Sequence, residues 1–137
     1  MDRQIEKLEP HIVWKYFKEL TLIPRPSRHE EQVREYLCQT AKKLGVEYFT
    51  TAVGNVVMRK KATDGSPSRK KIALQAHMDM VPSKTKESSH DFLTDPIDAY
   101  IDGEWVTANQ TTLGDDNGMG VAMALAVLEA NNLKHSD

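Results

Sequence analysis

The chain has 137 residues, 39% hydrophobic and 28% charged, with a net charge of −2. That suffices for one buried core, and the near-neutral balance gives no reason to expect nucleic acid or an anionic membrane surface as partner. The single cysteine, Cys38, rules out an internal disulfide, no stretch approaches the roughly 20 apolar residues of a membrane span, and "MDRQIEKLEP" lacks the apolar run of a signal peptide; together these lead us to expect a cytoplasmic protein.

In chain order, Ile5, Leu8, Ile12, Tyr16 or Phe17, and Leu20 recur at helical spacing. A first helix is expected from about Pro10 to Leu20, with Pro10 in the first turn, where its missing N–H costs little. "IPRPS" breaks it, since each proline biases its predecessor away from helix. Ser27 and Glu30 have the spacing of a capping box, and Val33, Leu37, Ala41 and Leu44 continue an apolar stripe. Gly45 supplies a left-handed stop for this second helix, in which Cys38 reads as a packing residue.

Two short strands are expected next, about Val46 to Thr51 and Asn55 to Lys60, joined near Gly54. "TDGSPS", Thr63 to Ser68, is rich in turn formers. The basic residues Arg69, Lys70 and Lys71, with Arg59 to Lys61, flank it and read as a solvated turn rather than a binding patch. Lys71 to His77 reads as a buried strand through Ile72, Ala73 and Leu74. Ser83 to Thr94 is polar and irregular. In "YIDGEWV" an Asp-Gly pair between alternating residues signals a hairpin turning at Asp102 and Gly103. Gly118 to Ala130 reads as a helix, apolar nearly all round and hence buried against a sheet. The order predicts an α/β layer structure, helices packed on a mixed sheet, without an internal repeat or interdomain linker.

Two stretches could carry chemistry. "LQAHMDMVP", Leu74 to Pro82, places His77 and Asp79 two apart, on one side of a strand. A ligating imidazole needs its second N–H held by an acceptor, and a carboxylate behind it does this. A satisfied polar pair at a strand end accounts for the same residues, and a lone His-x-Asp does not separate the two. "TTLGDDNGMG", Thr111 to Gly120, sets Asp115 and Asp116 at a loop-to-helix junction. Either could simply cap the next helix; alone, that reading outweighs a site. Yet two neighbouring acids repel, and a cation relieves the repulsion. Carboxylates with histidine suit zinc, manganese or cobalt, and sites gather at the carboxyl ends of strands in α/β folds.

Together the two stretches resemble the two N-terminal metal motifs of the M20 clan of co-catalytic metallopeptidases. Asp116-Asn117-Gly118, in place of the Asp-x-Lys-Gly of many M20 relatives, is similar to the aminoacyl-histidine dipeptidase subgroup (peptidase D, Xaa-His dipeptidases). "WKYFKELTLIPRPSRHEEQVREYL" and "HDFLTDPIDAYIDGEWV" are similar to it as well, so the likeness covers essentially the whole chain. The resemblance implies a zinc-peptidase-like catalytic domain, of which residues 1–137 would be the N-terminal portion. It implies two divalent metal ions, zinc ahead of manganese or cobalt, and hydrolysis of dipeptides of the Xaa-His type. His77 would ligate one metal and Asp116 would bridge both, with a cis peptide bond after it. Asp79 is implied in catalysis as the acid that orients the His77 imidazole. Asp115 stands where the family has a small residue; it and Asn117 are candidates for supporting contacts to the site.

Two cations about 3.5–4 Å apart lower the pKa of a water between them and polarise the scissile carbonyl. A general base, normally glutamate, carries the proton to the leaving amine. The family's Glu-Glu pair, its later acidic ligand, its C-terminal histidine and the lid domain through which many relatives dimerise have no counterpart in these residues. The chain alone is therefore expected to be inactive and to bind metal weakly. Two other readings stay open: another M20 hydrolase such as an aminoacylase or deacetylase, and a metal-free interaction domain on the same scaffold. His90 matches no ligand role. It reads as a solvated loop residue, and His11, His29 and His135 as surface residues. Met78 and Met80 read as packing around the site, and Trp14 and Trp105 as core or edge aromatics.

Overall fold

A computed structural model describes residues 1–63 and 68–137; most of the expected Thr63–Ser68 loop lies outside the described residues. A short 3-10 turn, Ile5–Lys7, precedes helix α1, His11–Thr21, and helix α2, Glu31–Leu44. Strands β1, Glu47–Thr50, and β2, Val56–Arg59, form one antiparallel hairpin, with Tyr48 opposite Met58. Strands β3, Ala99–Asp102, and β4, Trp105–Ala108, form a second, as the Asp-Gly pair predicts, but the turn is Gly103-Glu104, one residue later than expected, because Asp102 still pairs with Trp105. Helix α3, Asp115–Glu129, follows. The class is α/β.

The core lies where α1 crosses α3. Phe17 and Leu20 of α1 meet Val121, Ala122 and Leu125 of α3, with Ile5, Val33, Leu37 and Ala99 closing the cluster. Phe17 is 0% exposed and Leu20 1%, and burying such side chains stabilises the fold by about 1.5–3 kcal/mol each. Trp14 packs edge-to-face on Phe17, centroids 5.8 Å apart. α2 packs on the β1–β2 hairpin and ends at Gly45 in the left-handed conformation, φ 68°, the stop that its sequence predicts.

Several expectations are corrected. Pro10 is the cap residue before α1 rather than part of its first turn, and the Glu9–Pro10 bond is cis. Ser27 does not cap α2: Glu30 occupies that position, makes no capping side-chain bond, and accepts instead from Arg28 N–H at 2.7 Å. Residues 71–77 form no strand among the described residues, and Ile72 and Leu74 are 72% and 59% exposed. No described strand lies beside them, so their backbone finds no ladder and their side chains no cover. For the same reason the strands form two separate hairpins rather than one mixed sheet. α3 packs on α1 instead of a sheet, leaving Met123 and Val127 on an exposed face. Trp105 is exposed on the second hairpin. His90 is half-buried, its ring edge against Phe92 at 4.6 Å, and His135 is half-buried too.

The basic run resolves into separate tertiary ties. Lys60 Nζ donates to the Leu128 and Ala130 carbonyls at 2.8 and 2.7 Å, so it satisfies carbonyls left free at the end of α3. Arg59 pairs with Asp137 at 2.7 Å, while Arg69, Lys70 and Lys71 are exposed. No helix among the described residues is long and apolar enough to cross a membrane.

Candidate metal centre

The two motif stretches are brought side by side by the chain that follows the first and precedes the second. Thr112 N–H donates to the Ser83 carbonyl at 2.8 Å, and Thr85 N–H to the Gln110 carbonyl at 3.0 Å. Thr112 Oγ1 adds a bond to the Val81 carbonyl at 2.6 Å. On the other side, Met80 N–H donates to the Arg25 carbonyl and Ser27 N–H to the Met80 carbonyl, both at 3.0 Å. Asp79 thus ends a stretch that is pinned immediately after it.

His77 sits between two carboxylates. Its Nδ1 lies 3.0 Å from Asp79 Oδ1, and its Nε2 lies 2.9 Å from Asp116 Oδ1. The other oxygen of Asp79 accepts from Ser27 Oγ–H at 2.5 Å. A relay therefore runs Ser27, Asp79, His77, Asp116. The Asp79 carboxyl titrates below its ordinary range, first because Ser27 donates to it; partial burial opposes this, and His77 adds to the lowering. For His77 partial burial works against the charged ring, but hydrogen bonds to Asp116 and Asp79 outweigh it and the pKa is raised.

The second motif opens on an irregular turn. Gly114 is left-handed, φ 82°, and Asp116 and Asn117 depart from helical geometry inside the first turn of α3. The Asp116–Asn117 peptide bond is cis, as the resemblance implies. Neither Asp115 nor Asp116 caps the helix. Asn117 Oδ1 accepts from Gly120 N–H at 3.1 Å, which is the capping bond of the regular part of α3. With that role filled by an amide, both acids are released: Asp115 is exposed and Asp116 has a side chain 91% exposed.

His77 Nε2 and Asp116 Oδ1 fit one cation. Zinc–nitrogen and zinc–oxygen bonds of about 2.0–2.2 Å place two donors of a tetrahedral ion about 3.3 Å apart, close to the 2.9 Å found here. With a cation there, the anchored Asp79 would hold the proton on Nδ1 and leave Nε2 free to ligate. The described residues contain no cluster of three or more His, Cys, Asp or Glu side chains able to hold an ion, so the chain offers two donors and a support.

Of the residues singled out in the sequence, His77, Asp79 and Asp116 come together; Asn117 acts on the helix backbone, and Asp115 makes no side-chain hydrogen bond among the described residues. Ser27 was missed, because its spacing to Glu30 reads as a cap and nothing local points to Asp79. Arg25, 1% exposed, was missed as well. A lone arginine in "PRP", inside an otherwise short connection, was the one signal available.

No protein-family model matches the chain. It is 50% identical, over 96% of its length, to a cytosol non-specific dipeptidase from Escherichia coli. Among solved structures, it superimposes on an aminoacylhistidine dipeptidase from Vibrio alginolyticus with a TM-score of 0.94 at 47% identity, again over 96% of the chain. A tripeptidase from Staphylococcus aureus, 20% identical, shares the fold over 89% of the chain with a TM-score of 0.70 and covers 32% of that protein. The chain spans about 27% of the length of each of the two dipeptidases. Across that span it is a close homologue of cytosol non-specific dipeptidase and aminoacylhistidine dipeptidase.

Proposed function

We propose that the chain is part of the catalytic domain of a metal-dependent dipeptidase, acting in the cytosol on dipeptides that include the Xaa-His type. One observation carries the reading: the His77 imidazole is gripped at Nδ1 by a carboxylate that Ser27 anchors, and its Nε2 faces the open carboxylate of Asp116. A polar pair serving only the fold has no need of a second, solvent-facing acid on the free nitrogen. Identity of 47–50% to dipeptidases over nearly the whole chain supports the same reading.

In it, His77 and Asp116 are ligands and Asp79 is the acid that sets the His77 tautomer. Divalent metal, zinc ahead of manganese or cobalt, supplies Lewis-acid polarisation of the scissile carbonyl and activation of water. Asp79 keeps the proton on Nδ1, so that Nε2 presents a lone pair. Asn117 holds the first regular turn of α3, which fixes the backbone from which Asp116 projects. The remaining donors, the general base and a lid domain for dimerisation belong to residues outside this chain.

The test is hydrolysis by the full-length protein of a panel containing Xaa-His dipeptides, other dipeptides and N-acyl amino acids. Dipeptide cleavage that a chelator abolishes and added metal restores is expected. His77→Ala should lower the rate by more than the roughly 100-fold that loss of an outer partner of a metal ligand costs. Cleavage of N-acyl amino acids alone would favour an aminoacylase, and full activity in the presence of chelator would end the metal reading.

A further inference from the structure

A buried cation joins the two halves of this site. Arg25 lies in the connection between α1 and α2 and is 1% exposed. Its Nη1 donates to the Met78 carbonyl at 3.1 Å, with a longer approach to the Asp79 carbonyl at 3.4 Å. Its Nη2 donates to the Gly114 carbonyl at 2.8 Å. One planar group thus holds the backbone on both sides of the gap: beside His77 in the first stretch, and at the residue that opens the Gly-rich turn in the second.

The glycines of the second motif fit around it. A Cβ on Gly114 would lie 2.6 Å from Arg25 Nη2, and a Cβ on Gly118 would lie 2.6 Å from the same atom. Gly114 and Gly118 bracket Asp115, Asp116 and Asn117, so the guanidinium sits directly under the turn that carries Asp116. The base of the arginine is fixed as well, since its own carbonyl accepts from Met80 N–H and the next residue, Pro26, bridges to Met80.

Simple packing does not account for this residue. Among the described residues no carboxylate is hydrogen-bonded to the guanidinium, and its buried Nε has no partner. Burial lowers its pKa to about 10, against the favourable fields of Asp79 and Asp115, which leaves it charged at neutral pH. Burying a charge without a paired acid is costly, and an apolar side chain of similar volume often serves stability as well or better.

We propose that Arg25 is a positioning residue, a clamp that sets the separation between the backbone carrying His77 and the turn carrying Asp116. The inference deepens the proposed metal centre and rests on it. Lysine cannot replace the clamp, because a single ammonium lacks the planar fork that reaches both carbonyl sets.

The experiment is a zinc titration of the full-length protein by calorimetry. It compares wild type, Arg25→Lys, Arg25→Met and His77→Ala, each well below its own melting temperature and with folding checked by circular dichroism. His77→Ala should lose most of the binding. Both Arg25 variants should bind zinc about 10–100-fold more weakly, the range for groups that orient metal ligands, with kcat reduced more than KM changes. A merely structural arginine would lower the melting temperature and leave zinc affinity of the folded protein intact. If Arg25→Met fails to fold, Arg25→Lys carries the comparison. Wild-type zinc affinity in a folded Arg25 variant, with binding lost in His77→Ala, overturns the clamp and leaves the metal centre standing. Unchanged binding in His77→Ala overturns both.

Discussion

Asp79 and Asp116 are the same side chain on either side of one imidazole, yet the protein treats them in opposite ways. Asp79 is 29% exposed; one oxygen is tied to Ser27, the other meets His77, and the next residue is pinned to the Arg25–Ser27 segment. The Asp116 side chain is 91% exposed, and its one side-chain hydrogen bond among the described residues is to His77 Nε2. One acid is held by the protein in order to hold a ring. The other is presented from an irregular backbone turn, with one oxygen against His77 and the rest open. Rigid support behind a ligand and an open face before it are what a metal centre requires.

The contrast breaks most sharply at the open half. Asp116→Asn in the full-length protein should abolish metal-dependent hydrolysis while leaving the stability of the metal-free protein within about 0.5 kcal/mol of metal-free wild type, as for other surface substitutions; kinetics and a denaturant melt in chelator read the two effects separately. At the anchored half, Asp79→Asn should weaken metal binding by about 10–100-fold rather than abolish it. It should also lower stability, because Ser27 and His77 lose a charged acceptor.

Ser27→Ala is gentler. It removes one hydrogen bond to a charged group, worth about 1.5–3 kcal/mol, and it should move a titration in metal-free protein. The Asp79 pKa is held below 3.8, mainly by Ser27. The stability this confers is present above the unfolded value and is lost as pH falls through the depressed folded one. Without Ser27 the folded pKa rises towards the ordinary carboxylate value, so Asp79 contributes less stability at neutral pH and less of it is lost on acidification; an NMR titration of the Asp79 carboxyl would show the shift directly. Asp98→Asn, which breaks the exposed pair with Arg3, should be the smallest change, under about 1 kcal/mol, and should fade in high salt.

The legible parts of this molecule were those that local chemistry decides. The second hairpin needs only a turn of the right hand, which its Asp-Gly pair signals to within one residue, and α2 needs only an apolar stripe with Gly45 at its end. His77 and Asp79 stand two apart in sequence, so their meeting could be read directly. Ser27 could not be read, because its partner lies 52 residues away and a nearer glutamate offered a simpler role. The stretch from Ile72 to Leu74 misled for a related reason: an apolar run says that cover is wanted, not which residues supply it. Asp115 and Asp116 invited a capping role that Asn117 takes, since the irregular turn delays the regular helix past both acids.

The most direct measurement is the metal content of the full-length protein, purified in parallel as wild type, His77→Ala and Asp116→Asn, with folding verified for each. If His77 Nε2 and Asp116 converge on one cation, wild type retains divalent metal and both variants lose it or bind it far more weakly. Equal metal content in all three would contradict a centre at these residues and return His77 and Asp79 to a polar pair that serves the fold.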